Sequence, residues 1–204
     1  MTQESHWASH QPLIKSIMEF YKPKFVLELG IGNFSTPELI KDTDYLGIEN
    51  DSNWIETIKN KFKNLNIIHH DLGKEVEIST KYKSLSEDQI NKFIKFYDNI
   101  HIPSVSPKLL FVDHFTSVRT ISLNALGNKF DIIIYHDSEE PNGVQWYNYD
   151  LLNLNQFKKY HLKSDVVWTT LLIKELDFKI IDLIDKNIKD YKNKYTDVSN
   201  MKFE

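Results

Sequence analysis

Short apolar runs separated by stretches of helical period constrain this chain more than any other feature. Phe25-Val-Leu-Glu-Leu29, Tyr45-Leu-Gly-Ile-Glu49, residues 65–70, Leu109-Leu-Phe-Val-Asp113 and residues 130–135 read as five strands. Their near-continuous hydrophobicity requires cover on both faces of a sheet. Helical patterns lie between them. Residues 8–21 carry Leu13, Ile14, Ile17 and Phe20 and stop before Pro23. Thr36-Pro37-Glu38 is a helix start, and Asp51 can cap a helix presenting Trp54, Ile55, Ile58 and Phe62. A Ser86–Gln89 capping box precedes the stripe Ile90, Phe93, Ile94 and Tyr97. Residues 116–126 end at Gly127, read as a left-handed cap, residues 147–154 read as helical, and Asp177 opens a last helix over 177–195. This alternation predicts an α/β fold, doubly wound, with a mostly parallel sheet and helices on both faces. The final strands, 158–162 and 166–173, are joined by too few residues for a parallel crossover, so an antiparallel edge strand is expected. The 204 residues fit one domain spanning 1–204, with the long interval 73–107 as a lid or insertion.

Composition removes whole classes of function. The chain has no cysteine, which excludes disulfide frameworks, thiolate metal sites and cysteine nucleophiles. Its net charge is −4 and Arg119 is its only arginine, so neither nucleic acid nor an anionic membrane is an expected partner. No apolar run approaches the ~20 residues of a membrane-spanning helix, and residues 1–11 lack a signal-peptide pattern. A cytoplasmic protein acting on a small molecule is expected, with a homo-oligomer left open.

Ionisable residues and glycines collect where the predicted strands end, the edge at which doubly wound sheets bind ligands. Glu28-Leu-Gly30-Ile-Gly32 follows the first strand, Glu49 ends the second, and His69-His70-Asp71 follows the third. Asp113-His114 and His136-Asp137 follow the fourth and fifth. Gly30 and Gly32 allow a sharp turn before a helix N-terminus, and Glu49 lies 19 residues after Gly30. That is close to the spacing of an acid that grips ribose hydroxyls, so a ligand containing adenosine is expected. NAD is the first candidate, but Ser35 replaces the third glycine of the dinucleotide loop, and Glu28 would repel a pyrophosphate. S-adenosylmethionine, with its sulfonium and ammonium and no phosphate, suits the charge pattern better.

VLELGIGNFST (26–36) resembles the first motif of class I S-adenosylmethionine-dependent methyltransferases. YLGIENDSNW (45–54) and NIIHHDLG (66–73) are similar to that family's ribose- and adenine-binding segments. LLFVDHFTSVR (109–119) and DIIIYHDSEE (131–140) resemble the fourth and fifth strands of its small-molecule O-methyltransferases. The resemblance implies that Gly30, Gly32 and Ser35 shape the methionine-side loop, with Glu28 near the ammonium group. It also implies that Glu49 binds ribose, Asp71 meets the adenine amino group and Trp54 borders the adenine. Trp7 and His10 could close over the methionine end. In catechol-type members, acids in the places of Asp113 and Asp137 hold Mg²⁺. Here Ser138 replaces the family's Asn and the base lysine is absent, so metal-independent chemistry is favoured and Mg²⁺ at Asp113 and Asp137 is the alternative.

His136, Asp113 and Asp137 are then the candidate catalytic residues, with His136 the preferred base. Arg119 and His114 are the candidate substrate contacts. Methyl transfer to a hydroxyl of a small molecule is the expected function. A non-catalytic protein of the same fold and an NAD-dependent oxidoreductase are the competing readings.

Overall fold

The computed structural model describes residues 7–73, 76, 81–165, 167–195 and 200–204. Five parallel strands form its centre: β1 (Phe25–Leu29), β2 (Asp44–Glu49), β3 (Ile67–His69), β4 (Lys108–Val112) and β5 (Ile132–Tyr135). Three antiparallel pairings extend the sheet through β6 (Lys158–Lys163), β7 (Trp168–Ile173) and β8 (Lys202–Phe203). The order is β3-β2-β1-β4-β5-β7-β6-β8. The expected antiparallel element is present, but β7 lies inside the sheet, between β5 and β6. The two-residue β8 closes the edge and is too short to carry a period-two signal.

Strand alternation divides the core. Leu27, Leu29, Leu110, Val112 and Ile133 face one layer, where α4 (Glu87–Asp98) contributes Phe93 and Tyr97 and α5 (Arg119–Leu126) contributes Ile121 and Leu123. Val26, Leu109, Phe111, Ile132 and Ile134 face the other, packed by α1 (Gln11–Tyr21) and α7 (Ile180–Lys194). Each buried Leu or Ile adds about 1.5–3 kcal/mol. α2 (Thr36–Leu39), α3 (Ser52–Lys61) and α6 (Asn142–Tyr147) flank the strand ends. No helix among the described residues is long and apolar enough to cross a membrane.

The caps at Asp51 and Ser86 form as expected: Asp51 accepts from the Asn53 and Trp54 N–H groups, and Ser86 and Gln89 bond reciprocally. Gly127 does not. Its φ is −54°, and a Cβ there would lie 2.6 Å from Leu154 Cδ2, so it is small to admit Leu154 rather than to turn left-handed. The helix expected over 147–154 lies earlier, at α6, because Asn148 adopts the left-handed conformation and ends it. Within 73–107, Phe93 and Tyr97 of α4 belong to the main core, and residues 74–75 and 77–80 lie outside the described residues.

Candidate functional site

The carboxyl ends of β1, β2 and β4 open on a cavity of about 650 Å³. One wall is the glycine loop 30–35 with Glu49, Asn50, Asp51 and Trp54; the other is Asp113–Thr116 with Arg119 and Tyr147. Trp7 and His10 also line it.

The first wall is set by backbone geometry. Gly30 has φ +86°, and a Cβ there would stand 2.3 Å from the Asp113 carbonyl oxygen. Only glycine lets the end of β1 pass so close to the end of β4. The Gly32 N–H donates to Thr36 Oγ1 at 2.9 Å, which closes the loop onto α2. Glu49 is buried at the end of β2, and its Oε1 accepts from the N–H groups of Asn50 (2.7 Å) and Asp51 (3.0 Å). Burial raises its pKa, while backbone N–H groups of Asp51, Asn50 and Ile31 pull the other way. The Trp54 indole N–H donates to the Ile31 carbonyl at 2.7 Å while its ring lines the cavity, so it both pins the loop and forms the wall.

Two residues expected at this wall are elsewhere. Glu28 shares the face of Val26 and is wholly buried beneath the loop, away from the cavity lining. It accepts hydrogen bonds from Ser35 Oγ (2.5 Å), Thr36 Oγ1 (2.7 Å) and the Tyr45 hydroxyl. Burial pushes its pKa up to about 7, outweighing the opposing hydroxyl bonds. It clamps the exit of the loop and cannot meet a ligand's ammonium group. Period-two alternation along β1 already carries that assignment. Ser35 lines the cavity, but its hydroxyl proton is committed to Glu28. Asp71 is exposed, accepts from the Gly73 N–H at 2.8 Å in a local turn, and does not line the cavity. β3 reaches the level of Glu49 at His69, and the chain then turns through Asp71 and Gly73 outside the cavity lining.

The second wall is a buried ion cluster. Arg119 Nη2 meets Asp113 Oδ1 at 2.9 Å and Nη1 meets Asp137 Oδ2 at 3.0 Å. Its Nε donates to the His114 carbonyl and Nη1 to the His136 carbonyl, while the guanidinium lies 4.4 Å over the Tyr147 ring. The fork is spent inside the protein, so Arg119 is the counter-ion of the two acids rather than a substrate contact. The Tyr147 hydroxyl also donates to Asp137 Oδ2 at 3.0 Å, and that of Tyr149 to the His136 carbonyl at 3.1 Å. Neither tyrosine was singled out by sequence; the aromatic run Trp146-Tyr147-Asn148-Tyr149 was the available signal. Asp137 has φ +55°, a conformation that aspartate tolerates better than most residues and that turns its carboxylate back on Arg119.

His136 does not suit the role of base. It is buried off the cavity lining, with Nε2 2.9 Å from Ser9 Oγ and Nδ1 3.4 Å from Asp137 Oδ1 and 3.5 Å from Asp113 Oδ2. Burial lowers its pKa, but the carboxylates of Asp137 and Asp113 outweigh burial and raise it. Asp113 lines the cavity with a quarter of its side chain exposed. Burial would raise its pKa, yet His136 and Arg119 hold it well below the carboxylate range. His114 also lines the cavity. Its Nε2 lies 2.9 Å from the Tyr97 hydroxyl, and its Nδ1 is buried without a partner. Burial, with Arg119 and His70, keeps its pKa well below the usual histidine value.

A catechol-type Mg²⁺ does not fit this wall. One oxygen of each acid is held by Arg119, the other faces a ring nitrogen of His136, and the Ser138 hydroxyl receives Thr170 Oγ1 at 2.7 Å. Mg²⁺ requires an oxygen shell, which these groups do not provide.

Neither a protein-family model nor a curated protein matches the sequence. Solved structures do match the fold. An O-methyltransferase from Bacillus cereus, in complex with S-adenosylhomocysteine, superposes with a TM-score of 0.55 at 10% identity over 81% of each chain. The N-methyltransferase NodS from Bradyrhizobium japonicum superposes with a TM-score of 0.52 at 8% identity, over 83% of this chain and 96% of its own. With its parallel β1–β5 core, its antiparallel extension and a cavity at the carboxyl ends of β1, β2 and β4, this chain has the class I methyltransferase fold.

Proposed function

We propose that the chain is an S-adenosylmethionine-dependent methyltransferase acting on a hydroxyl oxygen of a small molecule. The observation that carries this reading is that the Gly30–Gly32 loop and Glu49 line one cavity whose other wall presents Asp113 and His114. Its volume lies in the range of small-molecule sites. A dinucleotide is disfavoured, because Arg119, the cationic side chain of the described lining, is already committed to two carboxylates.

S-adenosylmethionine supplies a methyl group on a positively charged sulfur, open to in-line displacement by a nucleophile. The chain's contribution is chiefly positioning. Glu49 accepts ribose hydroxyls, Trp54 borders the adenine, and the backbone of Gly30–Gly32 admits the methionine portion. On the opposite wall the partnerless His114 Nδ1 orients the acceptor. The ionised Asp113 carboxylate accepts the hydrogen bond of its hydroxyl, and the proton passes to solvent as the new C–O bond forms.

Calorimetric titration with S-adenosylmethionine, S-adenosylhomocysteine and NAD tests the reading. Micromolar binding of the first two is expected, weakened at least about tenfold in Glu49→Gln, which removes a charged hydrogen-bond acceptor. Binding of NAD alone, or equal affinity in Glu49→Gln, refutes it.

A further inference from the structure

His10 is the residue that the proposed methyl transfer leaves unused. It stands just before α1, is 2% exposed, and neither of its ring nitrogens has a hydrogen-bond partner. Leaving a buried polar group unpaired costs about 1–3 kcal/mol, so such a ring calls for a partner. Its ring packs edge-on against His136, with centroids 5.0 Å apart. Nitrogens of His10 and His136 and an oxygen of Asp113 all lie within 4.8 Å of one another.

The two separations between His136 and the carboxylates match those of donors around an ion. His136 Nδ1 stands 3.5 Å from Asp113 Oδ2 and 3.4 Å from Asp137 Oδ1, longer than the ~2.9 Å of a good N–H···O bond. Donors held about 2.0–2.1 Å from a tetrahedral ion are separated by about 3.3–3.4 Å. The outward-facing atoms are already fixed. Ser9 Oγ meets His136 Nε2 at 2.9 Å, Arg119 meets Asp113 Oδ1 and Asp137 Oδ2, and Tyr147 also holds Asp137 Oδ2. Outer partners of this kind orient metal-binding histidines and carboxylates.

We propose that His10, His136 and Asp113, with Asp137 beside them, form a binding site for a first-row divalent transition ion such as Zn²⁺. Mixed imidazole and carboxylate donors select such an ion over Mg²⁺ or Ca²⁺, which prefer oxygen alone. His10 and Asp113 line the cavity, so the ion retains a position open to an oxygen ligand from that side, as catalytic zinc sites do. The site shares Asp113 with the proposed acceptor contact but does not depend on cofactor binding, because none of these residues belongs to the glycine loop and Glu49 is not among them.

The test is equilibrium dialysis of the chelator-stripped full chain against micromolar Zn²⁺ in millimolar Mg²⁺, with circular dichroism as a check of fold. The wild type is expected to retain one Zn²⁺ per chain and to melt at a higher temperature when loaded. His10→Gln, which keeps the side chain's bulk, is expected to weaken Zn²⁺ binding at least about tenfold, and Asp137→Asn to weaken it by less. Co²⁺ in place of Zn²⁺ should give the intense visible absorption of a low-symmetry four- or five-coordinate site. A folded wild type that retains no stoichiometric Zn²⁺ would overturn the proposal. So would unchanged affinity in folded His10→Gln, which would assign the binding to other histidines. Should His10→Gln fail to fold, the Co²⁺ spectrum of the wild type decides: octahedral absorption overturns the site and tetrahedral absorption supports it.

Discussion

The two walls of the cavity are built on different principles. The wall on β1 and β2 is shaped by backbone: a left-handed glycine, a loop closed by its own N–H, and Glu49 and Asp51 held by backbone N–H groups. The wall on β4 and β5 is shaped by charge, with two acids, one arginine and one histidine bonded chiefly to each other. At Gly30 the first wall is set by a close backbone contact, so its tolerance there is steric. The second has its geometry fixed before any ligand arrives, and disturbing one member exposes the others. Mutations in the two walls should therefore fail in different ways.

The largest effect is expected from Arg119→Met. It leaves Asp113 and Asp137 facing each other without their cation and removes donors to the His114 and His136 carbonyls. Removing one partner of a buried pair costs about 3–5 kcal/mol, and the lower end applies because both acids keep a quarter of their side chains exposed. Urea denaturation checks this; a loss below 1 kcal/mol would show that the cluster is not electrostatically coupled. Gly30→Ala comes next on the backbone wall. A side chain at φ +86° with its Cβ 2.3 Å from a carbonyl oxygen should cost about 2–3 kcal/mol and abolish cofactor binding, read by melting and calorimetry.

Glu28 joins the two principles, a buried acid serving the backbone wall, and it predicts a pH dependence. Its folded pKa of about 7 lies above the ordinary carboxylate value of 4.5. Between these values the folded protein binds the proton and the unfolded chain does not, so stability falls as pH rises through the window and levels above it. The contribution is on the order of 3 kcal/mol. Glu28→Gln keeps an acceptor and a donor in place without the charge. It should flatten this window and leave the variant the more stable of the two at pH 8. Urea titrations at pH 5 and pH 8 measure the difference; parallel slopes in both proteins would refute the assignment.

The contrast also explains what was legible in sequence. Strand runs, the Asp51 and Ser86 caps and the glycine-to-acid spacing are local patterns, and the backbone wall follows from them. The charged wall draws on residues 9, 10, 113, 119, 136, 137 and 147, which only the tertiary fold brings together. Place at the strand ends marks Asp113 and His136, and being the only arginine marks Arg119, but neither signal shows that the three close on one another inside the fold. Glu28 lies beneath the loop because strand alternation puts it on the face of Val26, whatever its family position implies. Asp71 sits in a turn two residues past the end of β3, and its carboxylate caps the Gly73 N–H instead of facing the cavity.

The smallest expected effect sharpens the comparison most. Gly32 shares the loop with Gly30, yet its φ is not positive and a Cβ there would meet only Ser35 Oγ, at 3.2 Å. A shift of a few tenths of an ångström in one serine side chain accommodates it. Replacing glycine also removes unfolded-state freedom worth about 0.4–1 kcal/mol, which offsets the crowding. Gly32→Ala should thus leave stability within about 0.5 kcal/mol of the wild type, measured by the same urea titration as Gly30→Ala. If the two variants lost stability equally, the loop would be held by its glycine content as a whole. A difference of about 2 kcal/mol or more would locate the constraint at the single point where β1 crosses the end of β4.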